Sequence, residues 1–238
     1  MAKLTSTRTT SGLALALSAI VVTAVALHGY GLPTANLGAS SDQLTFLIGW
    51  GAVLGDLFAG LAGALSYTAE IRHGTIRPTL MATPRRGVVV AAKALSAGLV
   101  GLSFGLLGTA VAAGVGRLAL AARGLDPALD VSQYGLFLAG GALAGALWAV
   151  LGLGVGAVVR TQVPTVVAMT AWVLFVEGIL VENAPALGRF APGALGQALA
   201  GLHRDTLLSP AVGGILLALY AAAALTAGLV ATTRRDFA

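Results

Sequence analysis

The 238-residue chain has no cysteine, which excludes disulfides and cysteine-based metal or redox chemistry. It is also poor in charge: 10% of its residues are Asp, Glu, Lys or Arg, against roughly 25% in an average soluble domain. So few charges cannot coat a water-facing surface. With 57% hydrophobic residues and a mean hydropathy of +0.91, most of that surface must meet lipid. Lysine is scarce too, at two of fourteen basic residues. The bias towards arginine, with abundant Ala and Gly, fits a GC-rich bacterial genome, an association rather than a physical argument. A net charge of +5 suggests nucleic acid at first sight. The basic residues fall between apolar runs, however, and not along one face, so no nucleic-acid partner is expected.

Several catalytic signatures are missing as well. There is no G-x-x-x-x-G-K-[ST], so the chain has no P-loop of its own. "GLGVG" at 152–156 lies inside an apolar run with no strand before it, and reads as close helix packing rather than a nucleotide loop. His28, His73 and His203 are scattered without zinc spacing, so no metal site is expected. "GLSFG" at 101–105 does fit G-x-S-x-G, which raises a rhomboid-like serine intramembrane protease as an enzyme alternative. That chemistry needs a base within hydrogen-bond reach of Ser103, and no histidine falls within a span near its depth. Small residues letting helices touch is the simpler reading.

What the sequence does have is long apolar runs. A transmembrane helix needs about 20 mostly apolar residues. Six segments qualify, at about 12–30, 44–66, 94–116, 134–158, 163–182 and 210–232. They predict a single all-α integral membrane domain over 1–238. The first run is long for a signal peptide and no A-x-A site follows it, so it is expected to remain as a span. An even number of spans puts both termini on one side. If that side is the cytoplasm, it receives Lys3, Arg8, Arg72, Arg77, Arg85, Arg86, Lys93, Arg160, Arg234 and Arg235. The other side receives Arg117, Arg123, Arg189 and Arg204. The positive-inside rule therefore favours cytoplasmic termini in a bacterial cytoplasmic membrane.

Half of the basic residues assigned to the cytoplasm lie in one stretch, "TAEIRHGTIRPTLMATPRRGVVVAAK", Thr68–Lys93. An orientation anchor needs only Arg and Lys, in any order. This loop carries finer punctuation: Glu70 to Arg77 reads as helix weakened at Gly74, and Pro78 and Pro84 each limit its continuation. The pattern predicts a short helix at the membrane surface that breaks and turns back into the third span.

These residues resemble the signature cytoplasmic loop of ABC-transporter permeases of the type-2 exporter class. In that family an acid ends the second span, followed by R-x-G-T, a Leu, Pro-Arg, and a Lys that opens the third span. The matching positions are Glu70, Arg72, Gly74, Thr75, Leu80, Pro84, Arg85 and Lys93. "KLTSTRTT" before the first span is similar to the family's amphipathic lead-in, though shorter. "FVEGILVENAPALGRFAPGALGQALAGL" resembles its acid-bearing fifth span and the Pro-Gly hairpin that follows. The resemblance implies a coupling helix that seats in a groove of a separate ABC ATPase subunit, which would hold the ATP and Mg. It implies polar contacts there from Glu70 and its neighbours Arg72, Arg77, Arg85 and Arg86, with close approach at Gly74 and an exit angle set by Pro84. It also implies a second permease copy or homologue, export driven from outside this chain, and no catalysis within it.

Two acids lie inside spans. Asp56 is near the centre of the second, on a small-residue stripe of Gly49, Ala52, Ala59, Gly60 and Gly63. Leu54, Leu57, Phe58, Leu61 and Leu65 occupy much of the remaining surface. An ionisable group at that depth faces protein or water. Asp56 is either a translocation-path residue that meets a cationic or polar cargo group, or an aspartic acid bonded to a neighbouring helix. Glu177, in the outer half of the fifth span, serves gating, cargo contact or fixing of the outer hairpin. The segment from Pro185 to Leu202 is too interrupted to cross, and the resemblance implies two short helices dipping back into the outer leaflet. An ATP-independent channel or carrier is the third reading, although the halves show no inverted repeat. Cargo class stays open between lipid, hydrophobic antibiotic, peptide and heme-like molecules.

Overall fold

Backbone in lipid must satisfy its own hydrogen bonds, and a helix does so within one segment. In a computed structural model, which describes residues 2–30, 39–75, 86–127, 129–202 and 206–234, the apolar runs are all helical. They form α1 (Ala2–Tyr30), α2 (Ser40–Arg72), α3 (Arg86–Ala122), α4 (Val131–Val159) and α5 (Gln162–Asn183). Two short helices follow, α6 (Pro185–Gly188) and α7 (Pro192–Leu199), and α8 (Pro210–Arg234) closes the chain. Six of these, α1 to α5 and α8, are long and apolar enough to cross a membrane. The chain is a multi-pass membrane protein.

The helices overrun the expected spans. α1 takes in "KLTSTRTT" without a break, and α3 starts at Arg86 rather than near 94. Polar residues beyond the hydrocarbon continue a helix that the apolar core has already nucleated. At its other end α2 stops sooner than the sequence suggests. Helix was expected through to Arg77, but the chain leaves it at Arg72 and turns through Gly74 at φ +68. Only glycine enters that left-handed region without steric cost. α4 and α5 are joined through Arg160, whose N–H bonds the Gly156 carbonyl at 2.9 Å.

α2, α3 and α4 form the centre. Their backbones touch at small residues: a side-chain carbon at Gly63 would lie 1.9 Å from the Ala149 carbonyl oxygen. One at Gly105 would lie 2.0 Å from that of Gly141, and one at Gly152 would lie 2.0 Å from that of Gly60. The 152–156 glycines are therefore packing residues, as the sequence suggested. α2 does not use one stripe alone. Leu54, Leu57, Phe58 and Leu61, on the rest of its surface, are buried along with the small residues, and Leu65 is partly exposed. Neighbours cover α2 on nearly every side, because α1, α5 and α7 pack around the α2–α3–α4 core. Leu15, Phe175 and Ile215 remain exposed on the outer helices, as does Leu95 near the start of α3, where lipid would cover them.

Contacts fix which helix ends meet. Tyr67 near the end of α2 is hydrogen-bonded to Thr232 near the end of α8, at 2.6 Å and fully buried. Arg123, just past α3, donates to the Gly29 carbonyl at the end of α1, at 2.8 Å. The beginning of α1 and the end of α8 thus lie at the same end of the bundle as Arg72. Tyr67→Phe removes one partner of a buried bond and is expected to cost about 1 kcal/mol. A thermal-melt comparison in detergent measures that loss.

Candidate functional site

The fifth helix places its acid by an irregular turn. Thr165, Met169, Val173 and Glu177 are all buried, whereas Val167, Phe175 and Ile179 are exposed. Twelve residues of regular α-helix, at 3.6 per turn, would carry Glu177 about 120° round from Thr165. Trp172–Val176 is instead wound as a π-helix, and the Glu177 N–H bonds back to the Trp172 carbonyl. Such wide turns occur mostly as single insertions, frequently at functional sites. Here the π turn keeps Glu177 on the inner face.

Opposite Glu177 stands the start of α7. Pro192 takes the first helical position, where its missing N–H is no loss. The next free donors point out of the helix, and the Ala194 N–H donates to Glu177 Oε1 at 2.5 Å. The carboxylate of one helix thus caps another, and the positive end of the α7 dipole favours it. Trp172 and the Gly193 backbone lie beside the same carboxylate. The contact joins α5 to the 185–202 segment.

Less than a turn further along α7, Gly196 rests on Asp56, the central residue of the 33-residue α2. A side-chain carbon at Gly196 would lie 2.2 Å from Asp56 Oδ2 and 3.1 Å from Trp148 Nε1 of α4. Asp56 is 1% exposed and Trp148 2%. Among the described residues neither carboxyl oxygen of Asp56 has a hydrogen-bond partner, and neither has the Trp148 indole N–H. The bond from Asp56 to a neighbouring helix that the sequence left open is not made. Asp56 and Glu177, 121 positions apart in the chain, both lie against α7, at Gly196 and Gly193 respectively. Sequence reasoning missed Trp148, since a lone indole in an apolar run looks like ordinary core.

The other end of the bundle holds the motif residues. Glu70 and Lys93 form an ion pair that ties the end of α2 to the beginning of α3. Arg72 Nη1 donates to Gln162 Oε1 at 3.1 Å, tying α2 to the first residue of α5. Gly74 and Thr75 are exposed in the turn that follows. Arg77, Leu80, Pro84 and Arg85 lie outside the described residues, as does the side chain of Arg86, whose backbone opens α3.

Ser103 is exposed on α3, and its hydroxyl donates to the Leu99 carbonyl of the same helix at 3.1 Å. His28 and His73 each bond a carbonyl one turn back in their own helices, and His203 lies outside the described residues. Among the described residues no group of three or more His, Asp or Glu could hold a metal. No family model matches the chain, and no curated protein matches it.

Proposed function

We propose that this chain is the membrane-spanning permease subunit of an ATP-driven exporter of the type-2 class, working with a separate ATPase subunit. The signature loop supplies the resemblance, and the polar contacts around it supply the mechanics. Glu70–Lys93 and Arg72–Gln162 bind the ends of α2, α3 and α5 to one another where the loop begins and returns. A push on that loop from the cytoplasm would move these three helices together. α2 carries Asp56 and α5 carries Glu177, so the same push reaches the two intramembrane acids. That linkage is the observation that carries the reading.

In this account the Thr68–Lys93 stretch is the coupling element on the cytoplasmic side, with both termini on that side as the distribution of arginine favours. Segment 185–202 is a re-entrant hairpin on the outer side, and α7 is its membrane-inserted arm. ATP binding would draw two ATPase subunits together and carry the coupling elements with them. Two permease chains would then rearrange about a shared pathway. Work is extracted because each conformation binds nucleotide with a different affinity. The chain itself positions and moves; it breaks no bond. Purification from the native membrane tests the reading: a P-loop ATPase should accompany the chain.

A further inference from the structure

Two carboxyls lie beneath α7, Glu177 under Gly193 and Asp56 under Gly196, and among the described residues no ion pair includes either of them. The ion pair among the described residues is Glu70–Lys93, at the far end of α2. The other basic residues whose side chains are described, Arg72, Arg117, Arg123, Arg160 and Arg189, sit near helix ends or in links. A buried carboxyl without partners is costly, and proteins retain one where something else is to be bound. The surroundings describe that something. Asp56 offers two free acceptor oxygens, Glu177 lies under the same helix, and Trp148 contributes an aromatic ring with an unused N–H. Met169 lies with Trp148 against Gly60 and supplies a buried apolar wall.

α7 behaves as a removable cover over this cluster. It presents glycine, not side chains, to both acids: Gly193 to Glu177 and Gly196 to Asp56. It holds Glu177 through backbone N–H groups at its start, Ala194 N–H donating to Oε1. A ligand that satisfies the carboxyls therefore competes with α7 for the same atoms.

We infer that Asp56, Trp148 and Glu177 form a recognition site for the positively charged amine of an amphiphilic molecule, occluded by α7 until it is displaced. The ammonium group would donate to Asp56 and lie near the Trp148 ring, where cation–π attraction adds to charge pairing. Its apolar body would remain against the helix walls. The inference deepens the transport reading by naming a cargo class, and it rests on that reading for its physiological role only; amine binding itself needs no ATPase.

The test uses the full chain in lipid nanodiscs. Trp50→Phe removes one of the three tryptophans without touching the site, and a Trp50→Phe, Trp148→Phe pair, which keeps Trp172 beside Glu177, isolates the Trp148 signal by difference. Dodecylamine is the probe and dodecanol its neutral counterpart, with Trp148 fluorescence as the readout. A saturable change with dodecylamine, absent with dodecanol, is expected. Asp56→Asn keeps the shape and should weaken the response roughly tenfold or more by removing a charged acceptor. Equal responses to amine and alcohol, or an Asp56→Asn variant that binds like the parent, would overturn the inference, because the indole would then report only partitioning into lipid. No saturable response at all would also overturn it, leaving the acids to be satisfied by protons or water. If a P-loop ATPase fails to copurify while the amine still binds, the exporter reading fails and the site stands.

Discussion

Gly63→Leu is expected to leave almost no correctly assembled protein. A first side-chain carbon there would already lie 1.9 Å from the Ala149 carbonyl oxygen and 2.8 Å from its carbon. Those are backbone atoms of a central helix, so they cannot yield as a flexible side chain would. α2 and α4 must separate, and the loss should exceed about 4 kcal/mol, the range in which single substitutions abolish folding. Gly114→Leu is the matched control. Nothing stands within 4 Å of its added carbon, and leucine is the better helix former. Fluorescence-detected size-exclusion profiles should show a monodisperse peak for Gly114→Leu and aggregate for Gly63→Leu. Similar profiles would mean that α2 and α4 are not packed backbone to backbone.

Reversing Glu70 is the second large effect. Glu70→Lys places two cations where the Glu70–Lys93 ion pair holds α2 to α3, with side-chain exposures of 31% and 16%. Breaking a partly buried pair by losing one partner costs about 1–3 kcal/mol. Export should fall by roughly tenfold or more, the factor that an energy of this size sets. Lys93→Glu should do the same. The double exchange, Glu70→Lys with Lys93→Glu, restores the attraction and should recover both thermal stability and much of the export. If Glu70 served only the partner subunit, the exchange would recover nothing. If it were a mere orientation anchor, neither single variant would lose transport.

Much of this architecture is legible in the sequence, for definite reasons. Lipid demands long apolar runs and allows few charges, so six spans stand out in a chain with so little charge. The glycines at 152–156 and the stripe through Gly60 and Gly63 read correctly as packing surfaces, since nothing but small size explains glycine inside a helix. α2 was harder. A leucine facing lipid and a leucine facing another helix are chemically alike, so Leu54, Leu57, Phe58 and Leu61 gave no sign that α2 is enclosed.

The site was half legible. An acid in the membrane draws notice by its cost, which marked Asp56 and Glu177. Their shared place beneath α7 did not follow from sequence, because it depends on the π turn at Trp172–Val176 and on α7, whose Gly196 lies 140 positions beyond Asp56. One signal was present. Thr165, Met169, Val173 and Glu177 recur at every fourth position, a spacing that drifts across a regular helix but lines one face through a π turn. Trp148 left no comparable trace. It became visible only through Gly196, the residue that lets α7 reach it.

The central claim is that the Glu70–Lys93 end of the bundle receives a separate ATPase. Purifying this chain in mild detergent from its native membrane, beside a Glu70→Arg variant, tests that claim directly. The account predicts a P-loop ATPase subunit with the wild-type chain and its loss or marked depletion with the variant, while both chains stay folded. A wild-type chain that brings no nucleotide-binding subunit would contradict it.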